Sequence, residues 1–221
     1  LEMPEGKEQL FITDNSGGNA LASFGILRKA LNGQKYYVGA SQFQGKLGKK
    51  LFSERVSIVG DRSGELSRFA TFFDDEGVVR ENDRVAFIEN GVFKNLMTDK
   101  KYAALLGTES TGCAFAPYDG APSLSSCEIR VAPTGQTAAE LTAGQDAILI
   151  GSASGGDWTD DGNFATPVQC AYVYRDGKLI GRLPEFTMTV KLDELFGDRF
   201  VGCSTDKLFD DNILVFRGAI L

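Results

Sequence analysis

Short apolar runs separated by Gly, Asn and Asp dominate this chain, and most alternate or run unbroken in the way strands do. Gln9–Thr13, Tyr36–Ala40, Val56–Val59, Cys127–Val131, Ala147–Ile150, Val168–Tyr174, Met188–Leu192, Phe200–Cys203 and Ile213–Phe216 all read as strands. The strongest local signals are two hairpins. Val85–Ile88 and Val92–Met97 flank Asn90-Gly91, while Val168–Tyr174 and Lys178–Ile180 flank Asp176-Gly177. Both central residues of a type I′ turn need positive φ, which Asn, Asp and Gly tolerate best. The segments VAFIENGVFKNLMTD and AYVYRDGKLIGRLPE are alike enough to suggest a duplicated hairpin.

Helical spacing is rarer. Leu21, Phe24, Leu27 and Leu31 share one face of a helix predicted over Asn19–Leu31, capped by Ser16 or Asn19 and ended by Asn32-Gly33. Gly25 interrupts it at a cost of roughly 1 kcal/mol against Ala. Asp99 caps and Gly107 ends a second helix. Thr137–Thr142, stopped by Gly144, is a third, and Asp193–Phe196 a fourth. Gly- and Pro-rich connections fall at Asp14–Gly18, Gly60–Gly64, Ala116–Ser123 and Ser152–Gly162. Many hairpin-joined strands with three or four short helices predict an α+β fold. Its core is expected to be a mainly antiparallel, strongly curved sheet or barrel. One domain over residues 1–221 is expected.

Composition narrows the chemistry. The 221 residues contain no histidine, so this chain alone builds no His-based zinc site, Ser-His-Asp triad or His general base. A net charge of -7 with dispersed Lys and Arg argues against nucleic-acid binding. No apolar run approaches the ~18 residues of a membrane span. No basic, apolar and small-residue leader pattern is visible, and a cytoplasmic protein is expected. Leu1-Glu2-Met3-Pro4-Glu5 does not resemble a natural start, so a fragment or processed chain is expected. The four cysteines form no C-x-x-C pair. Free, mostly buried thiols in a reducing compartment are expected, although a disulfide stays open because spacing pairs none of them.

Several stretches carry candidate chemistry. Asp74-Asp75-Glu76 could offer oxygens to a hard cation, but adjacent residues rarely face one site, and a solvated turn is expected. Gly155, Gly156, Asp157 and Trp158, with Asp160 and Asp161, form an acidic loop that could contact a substrate or simply lie at the surface. Ser110-Thr111-Gly112-Cys113 has nucleophile types but no histidine to activate them. Cys203 is a weak candidate metal ligand that would need partners from elsewhere.

Phe73-Asp74-Asp75-Glu76-Gly77, Ile88-Glu89-Asn90-Gly91-Val92, Leu96-Met97-Thr98-Asp99, Leu106-Gly107 and Ser110-Thr111-Gly112 occur in one order at close spacing. Together with Gly45-Lys46-Leu47-Gly48 and Val56-Ser57-Ile58 upstream, and the Gly155-Gly156 loop downstream, they resemble the TldD/PmbA family (PmbA is also called TldE), over its C-terminal half. That resemblance implies a cytoplasmic metallopeptidase system acting on peptides and unfolded chains. It implies an HExxxH helix in the active subunit, with a distant cysteine completing the zinc site. The helix matching that position, Phe24–Ala30, reads FGILRKA and has neither histidine nor glutamate. Cys203 falls roughly where the cysteine ligand would be. The family's Ser-Thr-Gly turn usually continues with Asn, and here it is Cys113.

The resemblance therefore points to a zinc-less, PmbA-like subunit with no catalytic residue and no cofactor of its own. Zinc would sit in a partner, a TldD-like catalytic subunit, and a homodimer is the other arrangement. Extended peptide is the expected ligand, with Gly155, Gly156, Asp157, Trp158, Ser110, Thr111 and Gly112 as contact residues. The alternatives are a metallopeptidase using Asp, Glu and Cys203 as ligands, and a free-standing interaction domain.

Overall fold

A computed structural model of the chain describes residues 1–3, 6, 8–15, 18, 20–63, 65, 71–208 and 210–221. The caps expected at Ser16 and Asn19, and the glycines Gly17 and Gly64, lie outside these. The chain forms two compact units: residues 1–25 with 131–221, and residues 26–130.

The discontinuous unit is a barrel. Five strands, Glu8–Asp14, Ala147–Ala153, Asn163–Arg175, Phe186–Lys191 and Asp211–Ile220, pair in that order, and the last returns to pair with the first. Only the Glu8–Asp14 and Ala147–Ala153 pair of this ring is parallel. Closure matters because a paired strand presents no free row of N–H and C=O groups. Phe200–Leu208 extends the ring from Asp211–Ile220, while Asp157–Trp158 and Lys178–Arg182 each pair with Asn163–Arg175. The α+β fold with a mainly antiparallel, barrel-like core is as the sequence predicts.

Burial explains the ring. Leu10, Phe11, Ile12 and Thr13 are all buried, so the first strand is covered on both faces. Phe11 stacks on Phe216, with centroids 5.7 Å apart, and lies 6.2 Å from Phe186. Gly218 makes room for that ring, since a Cβ there would lie 2.9 Å from Phe11 Cδ2. On the opposite face, Leu10 and Ile12 join Leu141, Leu149 and Val215 in a second cluster. Leu141 belongs to the helix Ala138–Thr142, whose Thr137 and Glu140 form a reciprocal capping box.

The continuous unit is built on a small sheet in which Val92–Phe93, Arg84–Glu89 and Ile58–Asp61 pair in that order. The Asn90-Gly91 hairpin forms as expected, with φ of 48° and 77°. Its return strand is shorter than expected and ends at Phe93. The Lys100–Leu106 helix is capped by Asp99, whose carboxylate accepts from Tyr102 N at 2.7 Å, and ends at Gly107 in the left-handed region.

Two expectations are corrected. Tyr36–Ala40 is not a strand: Gly33–Tyr37 is a helix, because Asn32 accepts from Lys35 N at 3.0 Å and restarts helical structure instead of ending it. The preceding helix is shorter than Asn19–Leu31. Positive φ at Ala22 and Phe24 breaks its first turns into a 3-10 segment, and the α-helix runs over Gly25–Leu31. Five short α-helices occur among the described residues, and none of them is long and apolar enough to cross a membrane.

Candidate functional site

Each unit holds one of the two stretches expected to contact peptide. In the continuous unit, Ser110-Thr111-Gly112 is a turn whose polar atoms are engaged internally. Thr111 Oγ1 donates to the Leu96 carbonyl at 2.9 Å and accepts from Thr98 N at 2.8 Å, while Thr111 N donates to Thr98 Oγ1 at 3.0 Å. Ser110 Oγ lies 3.3 Å from the Thr98 carbonyl as its donor. The carbonyls of the turn point at arginine. Arg80 donates from Nε to Thr111 at 2.6 Å and from Nη2 to Gly112 at 3.0 Å, and Arg62 Nη2 donates to Gly112 at 2.7 Å.

Arg80 is the centre of this arrangement and carried no sequence signal. It is buried, and burial, helped by the nearby Arg62 charge, pulls its guanidinium down to about 10. It reaches Gly60 O and both sulfurs of a Cys113–Cys127 disulfide. The disulfide corrects the expectation of four free thiols; Cys170 and Cys203 are free. The spacing of 14 hides the pair in sequence, whereas the fold brings the two Cα atoms within 5.3 Å, inside bonding geometry. The acidic turn is corrected too. Asp74 is buried rather than solvated, accepting from the N–H groups of Glu76, Val78 and Ala114 at 3.0, 2.9 and 3.0 Å.

In the barrel unit, the Ser152–Gly162 stretch is not a plain surface loop. Asp157–Trp158 pairs with Phe164–Ala165, Trp158 is buried against Phe164, and its Nε1 donates to the Leu21 carbonyl at 3.0 Å. Gly156 is required by close approach, since a Cβ there would lie 2.5 Å from Ala165 O. Gly155 and Asp157 are exposed. The indole behaves as a Trp usually does, burying its ring and finding its N–H a partner.

The return strand predicted over Lys178–Ile180 forms and runs on to Arg182, and its exposed apolar side chains carried no sequence signal. Lys178–Arg182 pairs with Asn163–Arg175 on one side, and Leu179 and Ile180 are each 46% exposed. Leu179 also lines an apolar cavity of about 360 Å³ with Ile12, Leu149, Tyr172, Leu208 and Ile213. The Arg182 carbonyl at the far end of this strand accepts from the Leu1 amino group at 3.0 Å.

The zinc chemistry implied by the resemblance can be tested on the donor set. The Gly25–Leu31 helix buries Ile26, Leu27, Ala30 and Leu31, and its polar side chains are Arg28 and Lys29. Cys203 is fully buried, its Sγ lies 3.4 Å from the Val131 carbonyl, and burial followed by the Asp211 charge pushes its thiol up. A metal needs the thiolate. Among the described residues no three Cys, Asp or Glu side chains gather as a metal site. These residues do not fit a zinc centre.

The comparisons agree on one family. The model described as "PmbA/TldA metallopeptidase C-terminal domain" matches residues 16–217. A zinc metalloprotease TldD homolog of Saccharolobus solfataricus is 34% identical over 103 residues, covering 46% of this chain and 23% of that protein. An uncharacterised protein of Methanocaldococcus jannaschii is 27% identical over 156 residues, covering 70% of this chain and 36% of that one. TldE from Thermococcus kodakarensis superposes over 100% of this chain and 51% of its own, with a TM-score of 0.77 at 24% identity. The chain thus spans about half, or less, of the length of these relatives.

Proposed function

Since the chain belongs to the TldD/PmbA metallopeptidase family and matches its C-terminal domain, we propose that it serves as the zinc-less, non-catalytic member of a peptide-processing assembly. One observation carries the reading. The helix expected to hold the family's zinc and general base presents only Arg28 and Lys29 as polar groups, and the chain has no histidine. A guanidinium or ammonium neither ligates zinc nor takes a proton at neutral pH. The catalytic zinc then belongs to a partner of the TldD type, or the chain pairs with itself. Both arrangements are proposals for a cytoplasmic setting.

Its task in such an assembly is to hold extended peptide. A strand edge gives main-chain hydrogen bonds regardless of sequence, and a neighbouring apolar recess accepts alternate side chains. Lys178–Arg182, with Leu179 at the recess, supports that role better than the internally bonded Ser110–Gly112 turn. Gly155 and Asp157 remain candidate contacts at the surface of the same unit.

Metal analysis and a peptidase assay on the purified chain test the reading together. The expected outcome is no bound zinc and no chelator-sensitive hydrolysis, with activity appearing only beside a histidine-bearing relative that co-purifies. Stoichiometric zinc with chelator-sensitive cleavage by the chain alone would overturn it. It would favour the reading in which Asp, Glu and Cys203 act as ligands.

A further inference from the structure

The Cys113–Cys127 bridge is more than a clamp between two strands. Both cysteines line an open recess of about 250 Å³, together with Arg62, Arg80, Ser125 and Ser126. Cys127 is 7% exposed and Cys113 3%, so a protein surface cannot dock on the bond, and the recess is the route open to a small molecule. One guanidinium nitrogen faces both sulfurs: Arg80 Nη2 lies 3.2 Å from Cys127 Sγ and 3.5 Å from Cys113 Sγ.

A disulfide sulfur is a poor acceptor and gains little from a buried cation. A thiolate gains much, and an adjacent Arg is one of the recognised causes of a depressed thiol pKa. Arg80 is also held in place: Nε donates to the Thr111 carbonyl and Nη1 to that of Gly60, while Nη2, which faces the sulfurs, donates to Gly112 as well. The acids around the recess are already engaged: Asp61 by Arg84, Asp74 by backbone N–H groups, and Glu128 by Arg130.

We propose that Cys113–Cys127 is a thiol–disulfide exchange site for a small soluble thiol, with the Arg80 guanidinium holding the thiolate that leaves. The incoming thiolate attacks Cys127 Sγ, which belongs to the more exposed of the two residues. A new S–S bond forms, the Cys113–Cys127 bond breaks, and its electron pair departs on Cys113 Sγ opposite Arg80. A second thiolate attacks the small-molecule sulfur of this mixed disulfide. That releases the oxidised small disulfide and leaves Cys127 as a thiolate. The cysteines take protons from water as pH requires. Overall, two small thiols are oxidised and one protein disulfide is reduced; the reverse reaction restores the bridge. In the cytoplasmic setting proposed above, a disulfide is usually transient, catalytic or redox-sensing. It does not depend on the peptide-binding role.

The test uses the folded full chain. It is incubated with 2-mercaptoethanol or with a thioredoxin-type protein dithiol, alkylated without denaturant, and read by mass spectrometry for each cysteine. Cys203, buried in the barrel unit, reports on unfolding there, and resistance of residues 26–130 to limited proteolysis reports on the unit that holds the bridge. Cys113 and Cys127 are expected to become labelled with the small thiol while Cys203 stays unlabelled. Exchange in Arg80→Gln is expected to be about fivefold slower. Should that variant fail to fold, the ultraviolet thiolate absorbance of the reduced wild-type protein decides instead, with one cysteine expected to ionise well below the ordinary thiol value of about 8.5. The proposal is overturned by exchange that needs denaturant, by reduction with the protein dithiol alone, by ordinary or raised thiol ionisation, or by a chain that never forms the bridge in air.

Discussion

The two Asx-Gly hairpins share a turn and differ in almost everything else. Asn90-Gly91 and Asp176-Gly177 have nearly the same backbone, with φ of 48° and 77° in one and 49° and 78° in the other. The first is enclosed. A Cβ on Gly91 would lie 2.3 Å from the Phe52 carbonyl oxygen, and the return residue Phe93 is bonded through its N–H to Lys49 O at 3.0 Å. The second is open: nothing lies within 4 Å of a Cβ on Gly177, and its return strand exposes Leu179 and Ile180. Closely similar turn chemistry thus yields a structural clamp in one unit and a strand with exposed apolar side chains in the other. What a hairpin can do is decided by what packs beside it.

Four measurements would break or sharpen this contrast. The largest effect is expected from Gly91→Ala, which adds a steric clash to a strained φ. Denaturant unfolding should show a loss of about 3 kcal/mol or more. A loss under 1 kcal/mol would mean the turn is not enclosed. Next is the open edge. Leu179→Asp with Ile180→Asp should weaken binding of an extended peptide about tenfold, roughly 1.4 kcal/mol. The variant should stay folded at the assay temperature, with some loss of stability because Leu179 lines the recess, and unchanged affinity by titration calorimetry would remove this strand from the proposed peptide site. Gly177→Ala meets only the φ penalty, so about 1 kcal/mol is expected by the same unfolding assay.

The smallest effect concerns pH. Asp146 pairs with Arg175 at the root of the open hairpin, and the hydrogen bonds from Arg175 hold its carboxyl below the ordinary carboxylate range. A depressed folded-state pKa contributes stability that is present above the unfolded value and lost as pH falls through the folded one. The pair is exposed, so the contribution is small and screened by salt. Asp146→Asn and the parent protein should converge in stability as pH falls through and below the carboxylate range. Curves that stay parallel would leave the ion pair without a role.

Sequence legibility followed the same divide between local and non-local causes. Asp99, Gly107, Thr137, Asn90-Gly91 and Asp176-Gly177 were readable because a cap or turn is fixed by its own neighbours. Tyr36–Ala40 misled because its aromatic and β-branched side chains favour strand, while the Asn32 cap and the bond from Gly33 N to Met97 O at 2.9 Å favour helix. The barrel-like core was legible as alternating runs, but its ring order was not, since closure depends on pairs far apart in the chain. Of the candidate site, the missing zinc donors could be read directly. Arg80, the Cys113–Cys127 pairing and the buried state of Trp158 could not, because each is set by residues distant in sequence.

The ring of the barrel also constrains how the polypeptide folds. Glu8–Asp14 pairs residue for residue with the chain's late segment, Glu8 opposite Ala219 and Asp14 opposite Ile213. Its other neighbour, Ala147–Ala153, is synthesised long after it. During translation this strand, buried on both faces in the fold, waits while the whole of residues 26–130 emerges. Such high contact order predicts slow completion and an apolar segment that depends on chaperone shielding until Asp211–Ile220 leaves the ribosome.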